Sequence, residues 1–410
     1  MVIKMLELTR EKIAELTALH GDAFYLLDSK QFQENFVKLS NAFKSIYPNF
    51  NIAYSYKTNY TPKLCKIINE NGGYAEVVSD MEMEIALKVG VNPSKIIWNG
   101  PIKNEKRMEE LLISGGTVNI DSVYELDIID KIAKNNVEKT INVGIRCNYD
   151  VGDGVISRFG FDVESDDFNK ALDFIKNTKN VHLINLQCHF AKRNVEFWKA
   201  RAMGMVKTAK KVALKIGYMP ERLDIGGGLF GNMEDSLKAQ FTSAIPSYDD
   251  YAIESATVFA QSFPGVKPQL LIEPGSAMVG DCMKFVGRIE TIKTIRQKTY
   301  ITMLGSQKNI SMSGVNPPMQ IIPIGTDRKH FENADIVGYT CIEGDVLFKN
   351  FSGEIAIGDY VVFSNCGSYS IVMKPPFILP NFPILDICDN TVEVIKRQEL
   401  FDDIFNTYRF

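Results

Sequence analysis

Short apolar runs alternate, over the first two thirds of the chain, with longer stretches in which apolar residues recur at helical spacing. Such a pattern predicts strand–helix units around a parallel sheet that is covered on both faces. Eight strands are predicted, starting near Asn51, Gly73, Lys95, Thr117, Thr140, Val181, Arg222 and Pro268. Eight parallel strands, each followed by a helix, favour an α/β fold built on a closed (β/α)8 TIM barrel.

Capping signals support three of the helices between these strands. Ser79 and Asp80 stand where one helix begins, and Asp121 is followed by Glu125 about one turn later. Pro62 falls in the first turn of another helix, where a missing N–H costs nothing. The sequence therefore predicts helices that begin at or next to these residues.

Past about residue 280 the pattern changes to strand-like runs broken by Gly, Pro and Asn, with little helical periodicity. These runs cover residues 299–303, 319–323, 360–364 and 391–396. They predict a separate antiparallel β-barrel or β-sandwich domain. An early run at residues 24–28 is expected to pair into the same domain. The predicted domains are residues 33–280 for the barrel, and residues 1–32 with 281–410 for the β-rich part.

Composition and charge exclude several classes of function. With 410 residues the chain is longer than one hydrophobic core usually supports, which agrees with two domains. Its 45% hydrophobic and 23% charged residues are typical of a soluble globular protein, and the net charge of −4 offers no basic surface for nucleic acid. Charged residues interrupt the N-terminus, and no stretch reaches about 18 uncharged apolar residues, so neither a signal peptide nor a membrane span is expected.

The cysteines and histidines argue against disulfides and metals. Seven cysteines lie scattered without a CxxC pair, and the chain has four histidines. This distribution supports neither a disulfide framework nor a metal site. Reduced thiols are typical of the cytoplasm, which is the predicted location.

The C-terminal ends of the barrel strands hold the candidate chemistry, because the active site of a TIM barrel lies at that rim. The first strand ends in Lys57, within the run Tyr-Ser-Tyr-Lys-Thr-Asn at residues 54–59. A partly desolvated lysine at the barrel mouth has a lowered pKa and acts as a nucleophile toward carbonyl groups. Taken alone, a lysine at this place more often marks a solvated strand end.

Three more strand ends are chemically suggestive. The sixth ends in His189, an imidazole suited to stacking or proton transfer, although a lone histidine is more often structural. The seventh ends in Asp224-Ile225 and three glycines, which let N–H groups approach a phosphate, although a glycine run is often simply a loop. The eighth ends in Glu273 before Pro-Gly-Ser. An amine, a flat ring, a phosphate cradle and a carboxylate on one rim are the needs of pyridoxal phosphate.

These residues resemble those of the fold type III pyridoxal-phosphate enzymes, which include diaminopimelate, ornithine and arginine decarboxylases and alanine racemase. The resemblance implies that Lys57 holds the cofactor as a Schiff base, that His189 stacks on its ring and that Glu273 pairs with the ring nitrogen. Glu76 stands in the second strand, where relatives carry an acidic residue near the cofactor and its lysine. An anionic partner keeps the ring nitrogen protonated and so strengthens the electron sink for a carbanion at Cα.

The resemblance also implies a phosphate site and an active site shared between subunits. The phosphate contacts are expected from Gly227, Gly228, Gly275, Ser276 and the Tyr369 hydroxyl. Residues 339–345 resemble the decarboxylases' loop in which a cysteine, here Cys341, reaches across a homodimer interface and protonates Cα. A thiol suits this step because its pKa lies within reach of neutral pH. Without the resemblance, Cys341 is also compatible with a small buried hydrophobic residue.

Departures from the family pattern bear on the substrate. Ser276 stands where relatives follow Glu-Pro-Gly with arginine, and Leu304 stands before a glycine where diamine-producing relatives carry aspartate. Without these clamps for a distal carboxylate or ammonium, ordinary diaminopimelate, ornithine and lysine are not expected as substrates. The acidic residue after the cysteine comes one position late, at Glu343. A modified, conjugated or carrier-bound amino acid is expected instead.

Three cations near the rim are candidate substrate contacts, together with Glu343. Lys192 and Arg193 follow His189 shortly after the point where relatives have Gly-Ser. One of them is expected to take over part of the anion binding given up at Ser276. Arg158 occupies the basic position of a loop that resembles the family's basic-residue, Phe, Gly loop after the fifth strand.

The expected function is that of a pyridoxal-phosphate-dependent carboxy-lyase, a homodimer that decarboxylates an amino acid in biosynthetic metabolism. The closest alternative is an amino-acid racemase, but racemases of this fold place a tyrosine opposite the lysine, and no residue here clearly takes that role. The alternative from another class is a non-catalytic pyridoxal-phosphate carrier. Such carriers lack a second domain, whereas about 130 residues lie beyond this barrel.

Overall fold

The computed structural model describes residues 8–265, 267–311, 315–388 and 391–409, so residues 1–7 of the predicted segment 1–32 lie outside it. The chain divides into two compact units. The barrel unit comprises Gln33–Gly231 and Pro246–Ala277, and the β-rich unit comprises the chain up to Phe32, Asn232–Ile245 and Met278–Phe410. Residues 232–245 therefore group with the β-rich unit, although the predicted barrel boundaries enclosed them.

The strands of the described residues are β1 (Ala23–Leu27), β2 (Phe50–Ser55), β3 (Tyr74–Val77), β4 (Ile96–Trp98), β5 (Thr117–Ile120), β6 (Ile141–Asn148), β7 (Phe161–Asp162), β8 (Val181–Gln187), β9 (Arg222–Asp224), β10 (Gln269–Ile272), β11 (Met283–Ile295), β12 (Lys298–Met303), β13 (Met319–Ile322), β14 (Lys329–Val337), β15 (Val346–Ile355), β16 (Tyr360–Phe363), β17 (Ile384–Cys388) and β18 (Thr391–Lys396). The α-helices are α1 (Arg10–His20), α2 (Ser29–Lys44), α3 (Pro62–Glu70), α4 (Asp80–Lys88), α5 (Glu105–Ile113), α6 (Tyr124–Asn135), α7 (Asp166–Asn177), α8 (Val195–Ile216), α9 (Asp235–Lys238), α10 (Tyr248–Ser262), α11 (Ser276–Val279), α12 (Gln307–Ile310) and α13 (Phe401–Phe405). None of the helices in this described part has the length and hydropathy required to span a membrane.

A closed parallel barrel forms the larger unit, as predicted. Its strands follow the order β5-β4-β3-β2-β10-β9-β8-β6, and a further pairing of β5 with β6 closes the ring. Each of the eight strands starts within one residue of its predicted position. Buried apolar strands explain this agreement, since Ala53, Tyr74, Ile97 and Leu271 from four of them pack together as one cluster.

The barrel helices begin largely where their capping residues predict. The Ser79 hydroxyl accepts the backbone N–H of Glu82 at the start of α4, and Pro62 is the first residue of α3. The helix expected at Asp121 begins three residues later, with α6 at Tyr124. The Glu125 carboxylate accepts a hydrogen bond from the Asp121 N–H at 2.7 Å. The pair therefore stabilises the turn that precedes α6 and not the first turn of the helix itself.

The β-rich unit is mostly antiparallel, with two exceptions. Its main path is β15-β14-β12-β11-β1-β17-β18, while β16 pairs with β11 and β13. β1 contains most of the predicted run at 24–28 and pairs antiparallel with β11, with Phe24 opposite Val286. Two pairings of this sheet are parallel, that of β1 with β17 and that of β12 with β14. β1 lies between β11 and β17, so the last two strands continue a sheet that the N-terminal segment completes.

Candidate active site

Lys57 and Glu76 form a partly buried ion pair at the barrel rim. β2 ends at Ser55, and a short turn at Tyr56–Thr58 places the Lys57 Nζ 2.7 Å from the Glu76 Oε2. The Lys57 side chain is 36% exposed, whereas Glu76 is fully buried. Burial raises the pKa of Glu76, but the Lys57 ammonium and hydrogen bonds from Lys57, Ser55 and Asn99 outweigh it, so its pKa lies below the usual value. Glu76 is therefore an anion that pairs with the Lys57 ammonium.

Glu273 lies at the end of β10 with its carboxyl group buried. Its Oε1 accepts the Asn99 side-chain amide at 2.5 Å, and its Oε2 accepts the Gln187 amide at 3.0 Å. Burial raises its pKa well above the usual value, and the negative charges of Asp224 and Glu76 raise it further. Before any cationic partner binds, the Glu273 carboxyl group is therefore much harder to ionise than an exposed acid.

A chain of buried amides fixes these two carboxyl groups. Asn99, just after β4, donates to Glu76 at 3.0 Å as well as to Glu273, and its own oxygen accepts the Asn119 amide at 2.6 Å. Asn119 accepts in turn from Asn185 at 2.9 Å. Because the Asn119 amide occupies the Asn99 oxygen, the donating end of Asn99 has to face the carboxyl groups. The sequence analysis missed these residues, although polar side chains in otherwise apolar strands are a usable signal.

His189 stands directly after β8 with its orientation set by a backbone N–H. The Gly227 N–H donates to the His189 Nδ1 at 3.0 Å, and that nitrogen lies 4.0 Å from the Glu273 Oε2. Burial lowers the pKa of His189 well below its usual value, and the charges of Lys57 and nearby arginines lower it further. The ring is therefore neutral, with its proton on Nε2, and its side chain is 35% exposed. A neutral, partly open ring is suited to stacking on a flat ligand.

The glycines at the rim allow strand ends to approach one another. A Cβ on Gly227 would lie 2.2 Å from the Glu273 carbonyl oxygen, and one on Gly275 would lie 2.0 Å from the Thr58 Oγ1. Of the three consecutive glycines, Gly226 donates its N–H to Asp224 and Gly227 to His189. Within the described residues only the third, Gly228, makes no hydrogen bond through its N–H. The Gly227 N–H is thus taken by His189, while Gly228, Gly275, Ser276 and Tyr369 stay predicted phosphate contacts.

Arg201, on α8, holds the two rim loops together. Its fully buried guanidinium donates to four backbone carbonyls, at 2.6 Å to Gly227, 3.1 Å to Ile225, 3.3 Å to Phe190 and 3.4 Å to Lys192. These carbonyls belong to the His189 loop and the glycine loop. Five donors in a fixed plane suit this task, which a lysine could not perform. The helical pattern of α8 gave no sign of it.

Replacement of Arg201 by Met is expected to lower the free energy of unfolding by at least about 2 kcal/mol, because several buried carbonyls lose their donor. Both rim loops loosen as well, so affinity for the bound ligand falls together with stability. Chemical denaturation and ligand titration measure the two effects. Lys199→Ala is the matched control on the same helix, since the Lys199 side chain is 59% exposed and should change neither. Unchanged stability in Arg201→Met would contradict the assignment.

The other predicted cations lie at different places on the barrel unit. Arg193 lies close enough to contribute to the lowered pKa of His189, and its guanidinium lies 5.3 Å from the centre of the Phe230 ring. Lys192 is exposed on the same loop. Arg158 stacks over Phe159 at 4.0 Å and lines a cavity of about 940 Å³ beside α8. In the described residues no hydrogen bond or ion pair joins Arg158 to Lys57 or Glu273.

Cys341 and Tyr369 belong to the β-rich unit. Cys341 and Glu343 are exposed in the loop between β14 and β15. Asp345 ties this loop down, because its carboxylate accepts from Thr340 at 2.5 Å, from Ser306 at 3.0 Å and from a backbone N–H of α12 at 2.7 Å. Tyr369 follows β16 with a left-handed backbone at φ 61°. The thiol of Cys341, the predicted proton donor, therefore lies on a loop that hydrogen bonds hold in place.

The barrel rim fits pyridoxal phosphate. The group needs an amine for its aldehyde, a face to stack on, a partner for its ring nitrogen and N–H donors for its phosphate. Lys57, His189, Glu273 and Gly228 offer these functions at neighbouring strand ends. One buried side-chain oxygen of Gln187 and one of Asp224 also lack a hydrogen-bond donor within the described residues. Beside Glu273 the barrel interior can therefore accept further hydrogen bonds.

The comparison with known families agrees with this site. Residues 33–280 match the family described as pyridoxal-dependent decarboxylase, pyridoxal binding domain, and the chain belongs to that family. It is therefore a pyridoxal-phosphate-dependent carboxy-lyase acting on an amino acid, which confirms the predicted class, cofactor and fold. The match favours this class over the racemase and the non-catalytic carrier.

Individual relatives cover nearly the whole chain. The diaminopimelate decarboxylase of Aquifex aeolicus (strain VF5) is 26% identical over 96% of this chain and 93% of its own length. That of Staphylococcus aureus (strain COL) is 26% identical over 98% and 97%. The crystal structure of diaminopimelate decarboxylase from M. jannaschii with L-lysine superposes with a TM-score of 0.86 at 21% identity, covering 97% of this chain and 94% of that one.

Proposed function

We propose that the protein removes the α-carboxyl group of an amino acid, with Lys57 as the cofactor lysine and Cys341 as the proton donor to Cα. The observation that carries the proposal is the network joining Lys57, Glu76, Asn99 and Glu273 at one end of the barrel. Pyridoxal phosphate, when bound, supplies an electron sink that stabilises negative charge at Cα. The protein's task is to orient the reacting bond, exclude water and control protons.

Each barrel residue has a distinct part in this proposal. Glu76 holds the Lys57 ammonium in place and accepts one of its protons, because it is a buried anion 2.7 Å away. Glu273 holds a proton at the ring nitrogen, and the Asn99 and Gln187 amides keep its carboxyl group in place. His189 offers a neutral face for the ring.

The proton donor lies on the second unit. Cys341 is exposed on a loop that Asp345 anchors, so its thiol is available to a neighbouring subunit. We propose a homodimer in which this thiol of one subunit completes the other subunit's site, with Tyr369 adding a phosphate contact. A positioned acid of this kind contributes about 10²–10⁴-fold to the rate.

For the substrate, two considerations point in different directions. Many relatives act on diaminopimelate, as their names state, which makes this compound the first to assay. Ser276 and Leu304, however, stand where the family resemblance places an arginine and an aspartate for the distal end of the substrate. We therefore propose an amino acid whose distal end is modified or conjugated and needs neither charged clamp.

Lys192 and Arg193 are proposed to supply part of the missing anion binding. Both belong to the loop that Arg201 anchors next to His189. Replacing both by alanine is expected to weaken binding of pyridoxal phosphate or substrate by about tenfold, since each lost charged hydrogen bond is worth about 1.5–3 kcal/mol before solvent screening. Titration of the cofactor and a KM measurement test this. Lys199→Ala, on α8 with a side chain that is 59% exposed, serves as the control, and unaltered Kd and KM in the double variant would reject the role.

The experiment that tests the function combines a spectrum with an assay. Absorbance of the protein with pyridoxal phosphate, before and after borohydride, is followed by mass mapping of the modified peptide. We expect the cofactor to be trapped on Lys57. Release of carbon dioxide is then measured with diaminopimelate, ornithine, lysine, arginine and their amide-linked conjugates. Trapping on another lysine, or release from none of these compounds, would count against the proposal.

A further inference from the structure

Three carboxyl groups crowd the floor of the candidate site. Glu76 and Asp224 are completely buried, and Glu273 is 4% exposed. Glu76 has a cation of its own, the Lys57 ammonium at 2.7 Å. The remaining pair, Asp224 and Glu273, has no ion pair with a lysine or arginine within the described residues. Two bare carboxylates side by side in such a place would be strongly disfavoured.

The strand ends place Asp224 and Glu273 next to each other. β9 and β10 are parallel neighbours, and the Glu273 backbone N–H donates to the Gly226 carbonyl at 2.9 Å. The Asp224 Oδ1 accepts the Gly226 N–H at 2.9 Å. The second oxygen, Oδ2, is buried, and no donor reaches it among the described residues if both acids are taken as ionised. A protonated Glu273 can donate to Asp224, which removes this unsatisfied acceptor.

Among the described residues no lysine or arginine pairs directly with Glu273, although the charges of Lys57 and Arg146 lower its pKa. The remaining neighbours that face Glu273 are the amides of Asn99 and Gln187 and the ring of His189, which is neutral. Two arginines act only from a distance. Arg146 is directed to Asp121 at 3.7 Å and Arg222 to Thr117 at 2.6 Å.

We propose that Asp224 and Glu273 share one proton, held between their buried carboxyl groups, and that Asp224 is thereby a positioning residue for the ring nitrogen of the cofactor. The second half rests on the proposed role of Glu273. When pyridoxal phosphate binds with its ring nitrogen protonated, the pair has one proton too many. Because the ring nitrogen already carries its proton, the proton of the pair would be released to solvent, and Glu273 would become the anionic partner. The negative charge of Asp224 would then help Glu273 to stabilise the positive charge of the ring nitrogen.

The direction of the pKa shifts agrees with the geometry. Burial raises the pKa of Asp224 to about 7, even though the Gly226 N–H and the Glu273 hydrogen bond lower it. Burial and the Asp224 charge raise the pKa of Glu273 well above its usual value. Both carboxyl groups are therefore harder to ionise than exposed acids, as expected for a pair that retains one proton.

Infrared spectroscopy of the full-length protein without cofactor tests the shared proton directly. We expect the wild type to show the C=O band of a protonated carboxyl group at pH 7, and both Asp224→Asn and Glu273→Gln to lose it. Asp224→Asn keeps the acceptor for Gly226 and adds an amide donor to Glu273, so the lone Glu273 ionises. A band that survives Asp224→Asn would place the proton on Glu273 independently of Asp224. A band that survives Glu273→Gln would place it on Asp224 alone, and either result overturns the proposal.

A matched control identifies the contribution of Glu82, another buried acid of the barrel, to the infrared spectrum. Burial raises the pKa of Glu82 to about 7, so its protonated form contributes to the same spectral region. Glu82→Gln should remove only its own component and leave the band of the pair. Because no cofactor or substrate is present, this result stands whether or not the protein proves to decarboxylate the proposed substrates.

Proton counting during cofactor binding tests the second half. Calorimetric titration with pyridoxal phosphate, in two buffers of different ionisation enthalpy, reports the protons exchanged. The wild type is expected to release about one proton more per subunit than Asp224→Asn. Before the cofactor binds, only the wild type carries the shared proton, and after binding both proteins carry the same number of protons. Equal proton exchange would show that the pair does not couple to the ring nitrogen. Cofactor trapped on Lys57 together with equal exchange would refute this inference and leave the proposed function intact.

Discussion

Lys57→Ala is expected to lower kcat/KM by more than about 10⁴-fold, beyond the about 10²–10⁴-fold that acid–base catalysis alone contributes. The variant loses the amine that holds the cofactor and at the same time leaves Glu76 buried without its cation. The absorbance band of the bound cofactor should disappear, and borohydride should trap no adduct on the peptide that contains position 57. Steady-state kinetics and peptide mass mapping measure the two effects.

Two further variants make the result specific. Lys57→Arg keeps a positive charge beside Glu76 but cannot form the covalent bond, so it should be as inactive as Lys57→Ala. Lys66→Ala removes a lysine of α3 whose side chain is 65% exposed, and its kinetics should match the wild type. Substantial turnover by Lys57→Arg would mean that the amine does not carry the reaction.

The barrel was predictable because parallel strands covered on both faces appear in sequence as apolar runs. β2 and β8 are buried along almost their whole length, and their predicted starts agree with the structure to within one residue. The β-rich unit was harder to predict. β14 and β15 bury few of their residues and carry register shifts, so their alternation is weak and neither strand was predicted.

Within the candidate site, the residues recognised from sequence are those that follow strands in short motifs. Lys57, His189 and Glu273 are of this kind, and the structure brings them to one rim. Their supporting partners are different, because each is defined by a contact distant in sequence. Asn99 donates to a carboxylate 174 residues away, and periodicity contains no information about such a pair.

Arg201 shows that a supporting residue on a helix is equally hard to recognise from the sequence. A buried arginine on a 22-residue helix reads in sequence as one polar position among many. Only the fold brings the carbonyls of two separate loops to its guanidinium. The loops that carry the chemistry therefore depend on a residue that no motif includes.

Cys341→Ala is expected to slow formation of the normal decarboxylation product by about 10²–10⁴-fold, the usual contribution of a positioned general acid. In heavy water the wild type should place deuterium on one face of Cα, because a single thiol delivers it. The variant should give mixed stereochemistry or products of protonation elsewhere, since solvent has no fixed approach. NMR of the product measures both effects. Cys388→Ala, which removes a partly exposed cysteine of β17, serves as the control.

Mixing the two inactive variants tests whether the thiol acts across a dimer. If Lys57→Ala and Cys341→Ala subunits exchange freely, half of the dimers are mixed, and each mixed dimer contains one site with both functional groups. Activity should then return to about a quarter of the wild-type value. No recovery after subunit exchange has been verified would place Cys341 in its own subunit's site or outside the reaction. The stereochemistry of the Cys341→Ala product would separate these two cases. Normal stereochemistry would place Cys341 outside the reaction, whereas mixed stereochemistry would mean that the thiol delivers the proton within its own subunit.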